Sequence, residues 1–334
     1  MRPAPPGVNS LGPRVSSRQD YGGGEHGREP ATLNEADCSY PCAGVKSGRI
    51  EAPLKRREGM STCVVNGIRI YYECHGDSGE PLVLVHGYTG DSTDWEFQVT
   101  EFSRDYRVLI MDLRGHGRSE APPDRNAYTI PLMAADVEAL VDEVGFGKYH
   151  LVGHSMGGGI VEEIALHSQN RLLSLTLEDT GPILAVPGNT QMKEWNDKQI
   201  ALAENEGMAV VAAQHREGSL SATLGLHVPA ELVEKSIQRL AKMSVDGFVG
   251  ATLAGPKWEG IVDRASAIST PTLIIYGALD VQPIIMASQW LAQLIPNTEV
   301  VTIPDAGHSP QWEQPELYNK ALRRHLEANR STGS

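Results

Sequence analysis

The chain has 334 residues, of which 40% are hydrophobic and 21% are charged, so it is long enough to bury a sizeable core. Its formal net charge of −13 argues against nucleic acid or an anionic membrane as the main partner. No stretch approaches the roughly 18 consecutive apolar residues that a membrane-spanning helix requires.

The first 59 residues differ in composition from the rest of the chain. They contain nine glycines and seven prolines, and they show neither helical nor strand periodicity. They carry nine basic and seven acidic residues, and they lack the apolar stretch of a secretory signal. We therefore expect residues 1–59 to be a disordered extension, with Met60 as the natural start or the extension as a dispensable linker.

The cysteine positions predict free thiols. Two of the four cysteines fall in the extension, where no metal site is predicted. Of the other two, Cys63 lies within a hairpin predicted over residues 62–73 that turns at an Asn-Gly pair, and Cys74 directly follows it. This turn puts Cys63 opposite Ile70 and therefore out of reach of Cys74. Free thiols indicate a reducing, cytoplasmic compartment.

Residues 81–85 form a fully apolar run that predicts a central parallel strand. The run ends in His86-Gly87-Tyr88, and a Gly-rich loop at the carboxyl end of a central strand is where open α/β sheets bind ligands. We expect the backbone N–H of Tyr88 to stabilise an oxyanion, Gly87 to permit close approach of the backbone, and His86 to brace the loop.

A helix over residues 93–104 and a buried strand over residues 106–112 are predicted next. The strand runs into a polar loop with two glycines. We expect an ion pair between Asp112 and Arg114 to fix this loop, and we interpret His116 as a structural histidine.

A second apolar run, beginning at Tyr149, passes through the segment Gly-His-Ser-Met-Gly at residues 153–157 into a helical pattern. So tight a turn strains the backbone of its apex residue, Ser155, and the two glycines avoid a collision across the turn. The Ser155 hydroxyl would stand clear of the sheet, and the N–H of Met156 would lie at the positive end of the following helix. This arrangement favours an exposed nucleophile beside an oxyanion donor.

Strands alternate with helices as far as a sixth strand over residues 172–179, which predicts a mostly parallel sheet covered by helices on both faces. Residues 182–262 contain helical patterns alone, at 191–206, 208–216 and 230–243. We expect them to form a cap over the carboxyl edge of the sheet, inserted into a core of residues 60–181 and 263–334.

Soft and aromatic side chains of this cap are expected either to shape an acyl pocket or to fill an ordinary helical core. They are Met192, Trp195, Met208, Met243, Phe248 and Trp258.

The end of the chain supplies a base and an acid. A serine hydroxyl is a weak nucleophile at neutral pH and needs a histidine, which in turn needs a carboxylate to hold its tautomer. Asp280 follows a predicted strand over residues 271–277, and His308 follows the last predicted strand, over residues 298–303. The order Ser155, Asp280, His308 is the nucleophile–acid–base order of one known fold.

These motifs make the chain resemble the α/β-hydrolase superfamily, particularly its cap-bearing esterases, lactonases and cofactor-free haloperoxidases. The resemblance covers about residues 60–330 and implies an α/β-hydrolase fold, with a mostly parallel eight-stranded sheet and a helical cap after strand 6. The segments that carry it, in family order, are His-Gly-Tyr (86–88), Asp-Leu-Arg-Gly-His-Gly-Arg-Ser (112–119), Gly-His-Ser-Met-Gly-Gly (153–158), Gly-Ala-Leu-Asp (277–280) and Gly-His-Ser-Pro (307–310).

The resemblance implies roles for five residues. Ser155 would be the nucleophile, Asp280 the acid and His308 the base, with the backbone N–H groups of Tyr88 and Met156 as the oxyanion hole. The implied function is hydrolysis of carboxylic esters of small to medium substrates through an acyl-enzyme, with no cofactor and no metal. The expected partner is a small-molecule ester, and neither nucleic acid nor a membrane is expected as a partner. The question of a homo-oligomer is left open.

Several alternatives stay open. Some relatives carry the acid after the sixth strand, where Asp179 stands. The same triad would serve lactone opening, hydrolysis of a C–C bond or perhydrolysis, and some members of the fold are small-molecule receptors. Relatives that cleave C–C bonds tend to have Asn where His154 stands, which disfavours that reaction. Ser155 disfavours cleavage of C–halogen bonds and epoxides, whose enzymes carry an aspartate nucleophile.

Overall fold

A computed structural model describes residues 59–331, except residue 187 and residues 218–227. The first strand begins at Gly59, and the rest of the predicted N-terminal extension lies outside the described residues. No helix in the described ranges is both long and apolar enough to cross a membrane.

Eight strands form the central sheet: β1 (Gly59–Val65), β2 (Ile68–His75), β3 (Pro81–Val85), β4 (Arg107–Met111), β5 (Tyr149–His154), β6 (Leu172–Glu178), β7 (Thr272–Gly277) and β8 (Thr298–Ile303). Their order across the sheet is β1-β2-β4-β3-β5-β6-β7-β8. Strand β2 runs antiparallel to both of its neighbours, and every other adjacent pair is parallel. The predicted eight-stranded, mostly parallel sheet is therefore confirmed.

The helices of the described residues are α1 (Glu96–Phe102), α2 (Ile130–Glu143), α3 (Met156–Ser168), α4 (Thr190–Glu206), α5 (Met208–Glu217), α6 (Ala230–Lys242), α7 (Val245–Ala254), α8 (Gln282–Leu294), α9 (Pro310–Glu313) and α10 (Pro315–Ala328). Successive residues of a strand point to opposite faces of a sheet. Leu82 and Leu84 of β3 pack with apolar residues of α1 and α10, whereas Val83 and Val85 pack with those of α2, α3 and α8. Helices thus cover both faces of the sheet, as predicted.

The hairpin at the start of the sheet has the predicted register. Asn66 and Gly67 take the positive φ values, 49° and 79°, that a two-residue hairpin turn requires. Cys63 lies opposite Ile70, and Cys74 lies opposite Gly59 at the other end of the hairpin, so no disulfide joins the two cysteines.

Two helical predictions needed adjustment. The helix predicted over residues 93–104 starts as a 3-10 turn, Ser92–Trp95, before α1 begins. In the described part of the segment between β6 and β7, the three predicted helices appear as α4, α5 and α6, and they are followed by α7, which was not predicted. We call α4–α7 the cap helices.

The expected ion pair between Asp112 and Arg114 is wrong. Arg114 is buried and makes a bidentate contact with Asp136 of α2, with Nε–Oδ2 and Nη2–Oδ1 distances of 2.5 and 2.7 Å. Asp112 instead pairs with Arg118 at 3.0 Å and accepts the backbone N–H of Ser92 at 2.8 Å. The buried carboxylate of Asp136 accepts from two guanidinium nitrogens of Arg114 at once, which accounts for the pairing with the helix.

Candidate active site

Four side chains follow the carboxyl ends of four adjacent parallel strands. Ser155 follows β5, Asp179 follows β6, Asp280 follows β7, and His308 lies beyond the end of β8. Parallel strands present their carboxyl ends at one edge of a sheet. The fold therefore brings together side chains as far apart in the sequence as Ser155 and His308.

The turn from β5 into α3 has the strained geometry expected from its sequence. Ser155 adopts φ 53° and ψ −115°, a conformation that a non-glycine residue rarely takes. A side chain at position 157 would bring its Cβ within 2.5 Å of the backbone oxygens of Val85 and His86, and one at position 153 would come equally close to Val161. Glycine is therefore required at both positions.

The neighbouring strand end holds this turn in place. The backbone N–H of Ser155 donates to the carbonyl of Glu178 at 2.9 Å, and the hydroxyl of Thr180 donates to the carbonyl of Ser155 at 2.8 Å. These contacts fix the direction in which the Ser155 hydroxyl points.

The three predicted triad residues form one chain of hydrogen bonds. The Oγ of Ser155 lies 3.0 Å from Nε2 of His308, and Nδ1 of His308 lies 2.8 Å from Oδ2 of Asp280. An ionised carboxylate can only accept, so Nδ1 carries the imidazole proton. This tautomer leaves the lone pair of Nε2 facing the Ser155 hydroxyl.

Two carboxyl groups stand behind His308, and their environments differ. Asp280 also accepts the N–H of Val281 at 2.6 Å. Burial alone would raise the pKa of Asp280, but the hydrogen bond and charge of His308, together with hydrogen bonds from Asp179 and Val281, lower it. Burial, together with the negative charge of Asp280, raises the pKa of Asp179 well above its usual range. Asp280 thus contacts the histidine as a carboxylate, and Asp179 holds a proton beside it.

His154 has a positioning role that the sequence did not suggest. Its Nε2 donates to the backbone carbonyl of His308 at 2.7 Å, and the two rings lie 5.1 Å apart. Burial and the neighbouring His308 lower the pKa of His154 to about 3, so the ring stays neutral. The position of His154 directly before the apex serine is the signal that could have indicated this role, because a polar side chain there lies at the edge of the site.

The loop after β3 is braced as predicted. His86 accepts the backbone N–H of Leu113 through Nε2 at 2.9 Å and donates from Nδ1 to the carbonyl of Gly87 at 2.8 Å. The cap helices hold the same loop from the other side. Tyr88 donates its hydroxyl to Thr252 at 2.6 Å, and Arg239 donates from Nε to the carbonyl of Thr89 at 3.0 Å.

Among the described residues, two cavities reach Ser155. One of about 240 Å³, which we call the polar chamber, is lined by groups that include Asp94, Ser236, Arg239 and His308. The other, of about 220 Å³, is the apolar chamber, and its lining includes Met156, Leu184, Met192, Ala251 and Pro256. Tyr88, Ser155 and Trp195 line both chambers. The predicted oxyanion residues, Tyr88 and Met156, thus share one cavity wall with the serine.

The sequence model of the alpha/beta hydrolase fold family matches residues 80–315. The chain belongs to this family. The fold and the general class of hydrolases inferred from the sequence are thereby confirmed.

Known relatives of this α/β hydrolase include proteins of several activities. It is 30% identical over 274 residues to the dihydrolipoyllysine-residue acetyltransferase component of the acetoin cleaving system from Cupriavidus necator, which covers 78% of this chain and 67% of that protein. Among solved structures it resembles a thermophilic esterase from Thermogutta terrifontis, with 31% identity, a TM-score of 0.72, and coverage of 81% of this chain and 98% of that one. It also resembles the enol-lactonase from Burkholderia xenovorans LB400, with 25% identity, a TM-score of 0.71, and coverage of 80% and 100%.

Only some of the apolar cap residues singled out from the sequence reach the cavities of this hydrolase. Met192 and Trp195 line them. Phe248 is fully buried beside Tyr88, with their rings 5.8 Å apart. Trp258 donates its indole N–H to Glu163 of α3 at 2.7 Å. The cap therefore presents the first turns of α4 and Ala251 of α7 to the cavities, and most of its remaining apolar surface is packed.

One group of side chains in the described part of the hydrolase has the spacing of metal ligands. The ligand atoms of Asp179, Asp280 and His308 lie within 4.8 Å of one another. Both ring nitrogens of His308 are already engaged, with Asp280 and Ser155. A metal would have to displace the hydrogen-bonded chain, so these residues fit a proton-transfer site better than a metal site.

Proposed function

We propose that this protein is a carboxylic ester hydrolase that acts through an acyl-enzyme on Ser155. The observation that carries the proposal is the hydrogen-bonded chain from Ser155 through His308 to Asp280, with distances of 3.0 and 2.8 Å. The resemblance to the Thermogutta terrifontis esterase supports the same reaction class. The substrate is a small-molecule ester, and the reaction needs only groups of the protein and water.

The reaction proceeds in two stages. In the first, Nε2 of His308 accepts the Ser155 proton while Oγ attacks the ester carbonyl, and the imidazolium then gives that proton to the departing alcohol. In the second, His308 takes a proton from water, the hydroxide attacks the acyl carbon, and the carboxylic acid leaves as Ser155 regains its proton. Asp280 stabilises the imidazolium that forms in both stages.

The developing oxyanion is held by the backbone N–H groups of Tyr88 and Met156. Met156 is the first residue of α3, where free N–H groups and the helix dipole favour negative charge. Tyr88 is kept in place by its hydrogen bond to Thr252 of α7. Donors fixed before the reaction do not need to reorganise as the charge develops, which lowers the barrier.

The direct experiment is hydrolysis of p-nitrophenyl esters, from acetate to long acyl chains, by the full chain and by Ser155→Ala. We expect turnover of the shorter esters and a loss of kcat of about 10⁴-fold or more in the variant. Retention of the circular dichroism spectrum and the melting temperature by the variant controls for folding. Esterase activity that survives in Ser155→Ala would refute the assignment.

Lactone opening is the second candidate, because the chain resembles the enol-lactonase along 80% of its length. In a lactone the leaving alcohol stays attached to the acyl group, so both ends of the substrate must fit around Ser155 at once. Measuring kcat/KM for a linear ester and for a lactone of equal carbon number distinguishes the two candidate functions. A kcat/KM at least tenfold higher for the lactone would favour this candidate.

A further inference from the structure

The polar and apolar chambers differ in their relation to the reacting atoms. Among the described residues, His308 lines the polar chamber, and Met156 lines the apolar one. His308 must deliver a proton to the departing alcohol. If the proposed function holds, the alcohol therefore lies in the polar chamber and the acyl group in the apolar chamber.

The cation in the polar chamber is already neutralised. Arg239 of α6 contacts Asp91 at 3.3 Å and also pairs with Asp94, and all three side chains are nearly buried. Burial raises the pKa of Asp94 and, although burial would also raise that of Asp91, the charge of Arg239 lowers it. The cluster has a net charge of −1 with Asp94 ionised and of zero with Asp94 protonated. It carries no excess positive charge in either state.

Burial disfavours the charged form of two histidines of this chamber, His154 and His215. Burial lowers the pKa of His154 to about 3, with a contribution from His308, and it also lowers the pKa of His215. An anionic leaving group would thus meet the carboxyl group of Asp94 and a guanidinium whose charge Asp91 and Asp94 already compensate. A cationic leaving group would lie beside the Arg239 guanidinium, and the cluster offers it one unit of net negative charge at most. A neutral group that carries hydroxyls would instead find hydrogen-bonding partners in Asp94 and Ser236 without meeting an unbalanced charge.

We propose that the natural substrates are esters of a neutral, hydroxyl-bearing alcohol, with the alcohol in the polar chamber and a short to medium acyl chain in the apolar chamber. The apolar chamber, at about 220 Å³, is smaller than the roughly 300–1,000 Å³ typical of sites for drug-sized ligands. Its lining offers Leu184, Met192 and Ala251 to an acyl chain. This inference rests on the proposed ester hydrolysis and specifies its substrate class.

The test compares three esters of butyric acid whose alcohols all have three carbons: 1-glyceryl butyrate, propyl butyrate and O-butyryl lactate. Butyrylcholine is added as a cationic ester, and acid release is followed in a pH-stat. We expect kcat/KM for the glyceryl ester to exceed that for the propyl ester about tenfold, the effect of one or two hydrogen bonds. The lactate ester should be the poorest of the three. Equal rates for glyceryl and propyl esters, or a preference for the lactate or choline ester, would overturn the inference.

Two variants distinguish the chambers, and each of them enlarges one small side chain. Ser236→Val narrows the polar chamber and should reduce the ratio of glyceryl to propyl hydrolysis, leaving the order of preferred acyl lengths unchanged. Ala251→Val narrows the apolar chamber and should shorten the preferred acyl chain, leaving the glyceryl-to-propyl ratio unchanged. If Ser236→Val instead shortened the preferred acyl chain and Ala251→Val changed the ratio of glyceryl to propyl hydrolysis, the assignment of alcohol and acyl group to the two chambers would be refuted. Both readouts are ratios within one protein sample, so partial misfolding does not affect them.

Failure of this inference is separable from failure of the proposed function. Hydrolysis of p-nitrophenyl butyrate that depends on Ser155, without a preference for the glyceryl ester, would refute the alcohol assignment alone. No hydrolysis of any of these esters by the folded protein would refute the proposed function itself.

Discussion

Asp179 and Asp280 place two carboxyl groups side by side at the carboxyl ends of adjacent strands, within 4.8 Å of each other. Asp179 also accepts the backbone N–H of Gly277 at 3.0 Å, and both side chains are buried. Two buried carboxylates at this separation cannot both ionise without a large cost, so the pair holds a proton. That proton lies on Asp179, because His308 stabilises the charge on Asp280.

This arrangement predicts different effects for the two asparagine substitutions. Asp280→Asn removes the acceptor of the Nδ1 proton and should reduce kcat about 10³- to 10⁴-fold, because the imidazole then favours the wrong tautomer. Asp179→Asn replaces a protonated carboxyl by a neutral amide of similar shape and should keep kcat within about tenfold of the original. Steady-state kinetics on one p-nitrophenyl ester measure both. The reverse order of effects would make Asp179 the triad acid.

The same pair predicts a pH dependence of stability. Above the ordinary pKa of an aspartate, Asp179 stays protonated in the folded chain and ionises in the unfolded chain, so unfolding releases a proton. The free energy of unfolding then falls as the pH rises, by at most about 1.4 kcal/mol per pH unit for this group. Asp179→Asn has no titrating group at this position, so its free energy of unfolding lacks this pH dependence. Urea unfolding at pH 5 and pH 8 should therefore show the variant gaining stability relative to the original chain, and a constant difference would contradict the assignment.

The loop that carries Tyr88 should tolerate no side chain at Gly87. A Cβ there would lie 2.9 Å from Nδ1 of His154 and 3.1 Å from Cβ of Ser155. Gly87→Ala should therefore displace the loop and reduce kcat/KM about 10²-fold or more, an effect comparable to loss of an oxyanion donor. Gly147→Ala is the matched control, because no atom lies within 4 Å of the added Cβ. Equal activity of the two variants would show that the loop does not approach the serine closely.

The buried pair of Arg114 and Asp136 predicts a large effect on stability. Arg114→Met leaves Asp136 as a buried charge without its bidentate partner, which should reduce the free energy of unfolding by about 3–5 kcal/mol. Lys193→Met is the control. Lys193 pairs with Asp197 at 2.6 Å, but both side chains are exposed to solvent, so the expected loss is about 1 kcal/mol or less. Urea denaturation of both variants measures the difference, and similar losses would contradict the pairing that the structure shows.

The sequence predicted those features that depend on local geometry. The Asn66–Gly67 turn fixes the register of its hairpin, and the glycines around Ser155 leave only one way for a strand to enter a helix. Asp280 and His308 were predictable because each follows a predicted strand, and parallel strands end at a common edge. These signals depend on a few consecutive residues.

Features that depend on distant contacts were not predictable. The partner of Arg114 lies 22 residues away on α2, and no local pattern distinguishes it from Asp112. Helix α7 was missed because it is buried on nearly all sides, so its apolar residues show no helical periodicity, and two glycines interrupt it. The role of His154 and the pairing of Arg239 with Asp91 and Asp94 were likewise not predictable, because they depend on how several elements pack together.

Covalent labelling of Ser155 tests the central claim most directly. The full chain and Ser155→Ala are incubated with diethyl p-nitrophenyl phosphate, whose phosphorus an activated serine attacks with release of p-nitrophenolate. The account predicts one diethylphosphoryl group per molecule, located on Ser155 by peptide mass spectrometry, loss of esterase activity in proportion to labelling, and no labelling of the variant. A folded chain that hydrolyses esters while Ser155 stays unmodified, or a label that persists in Ser155→Ala, would contradict it.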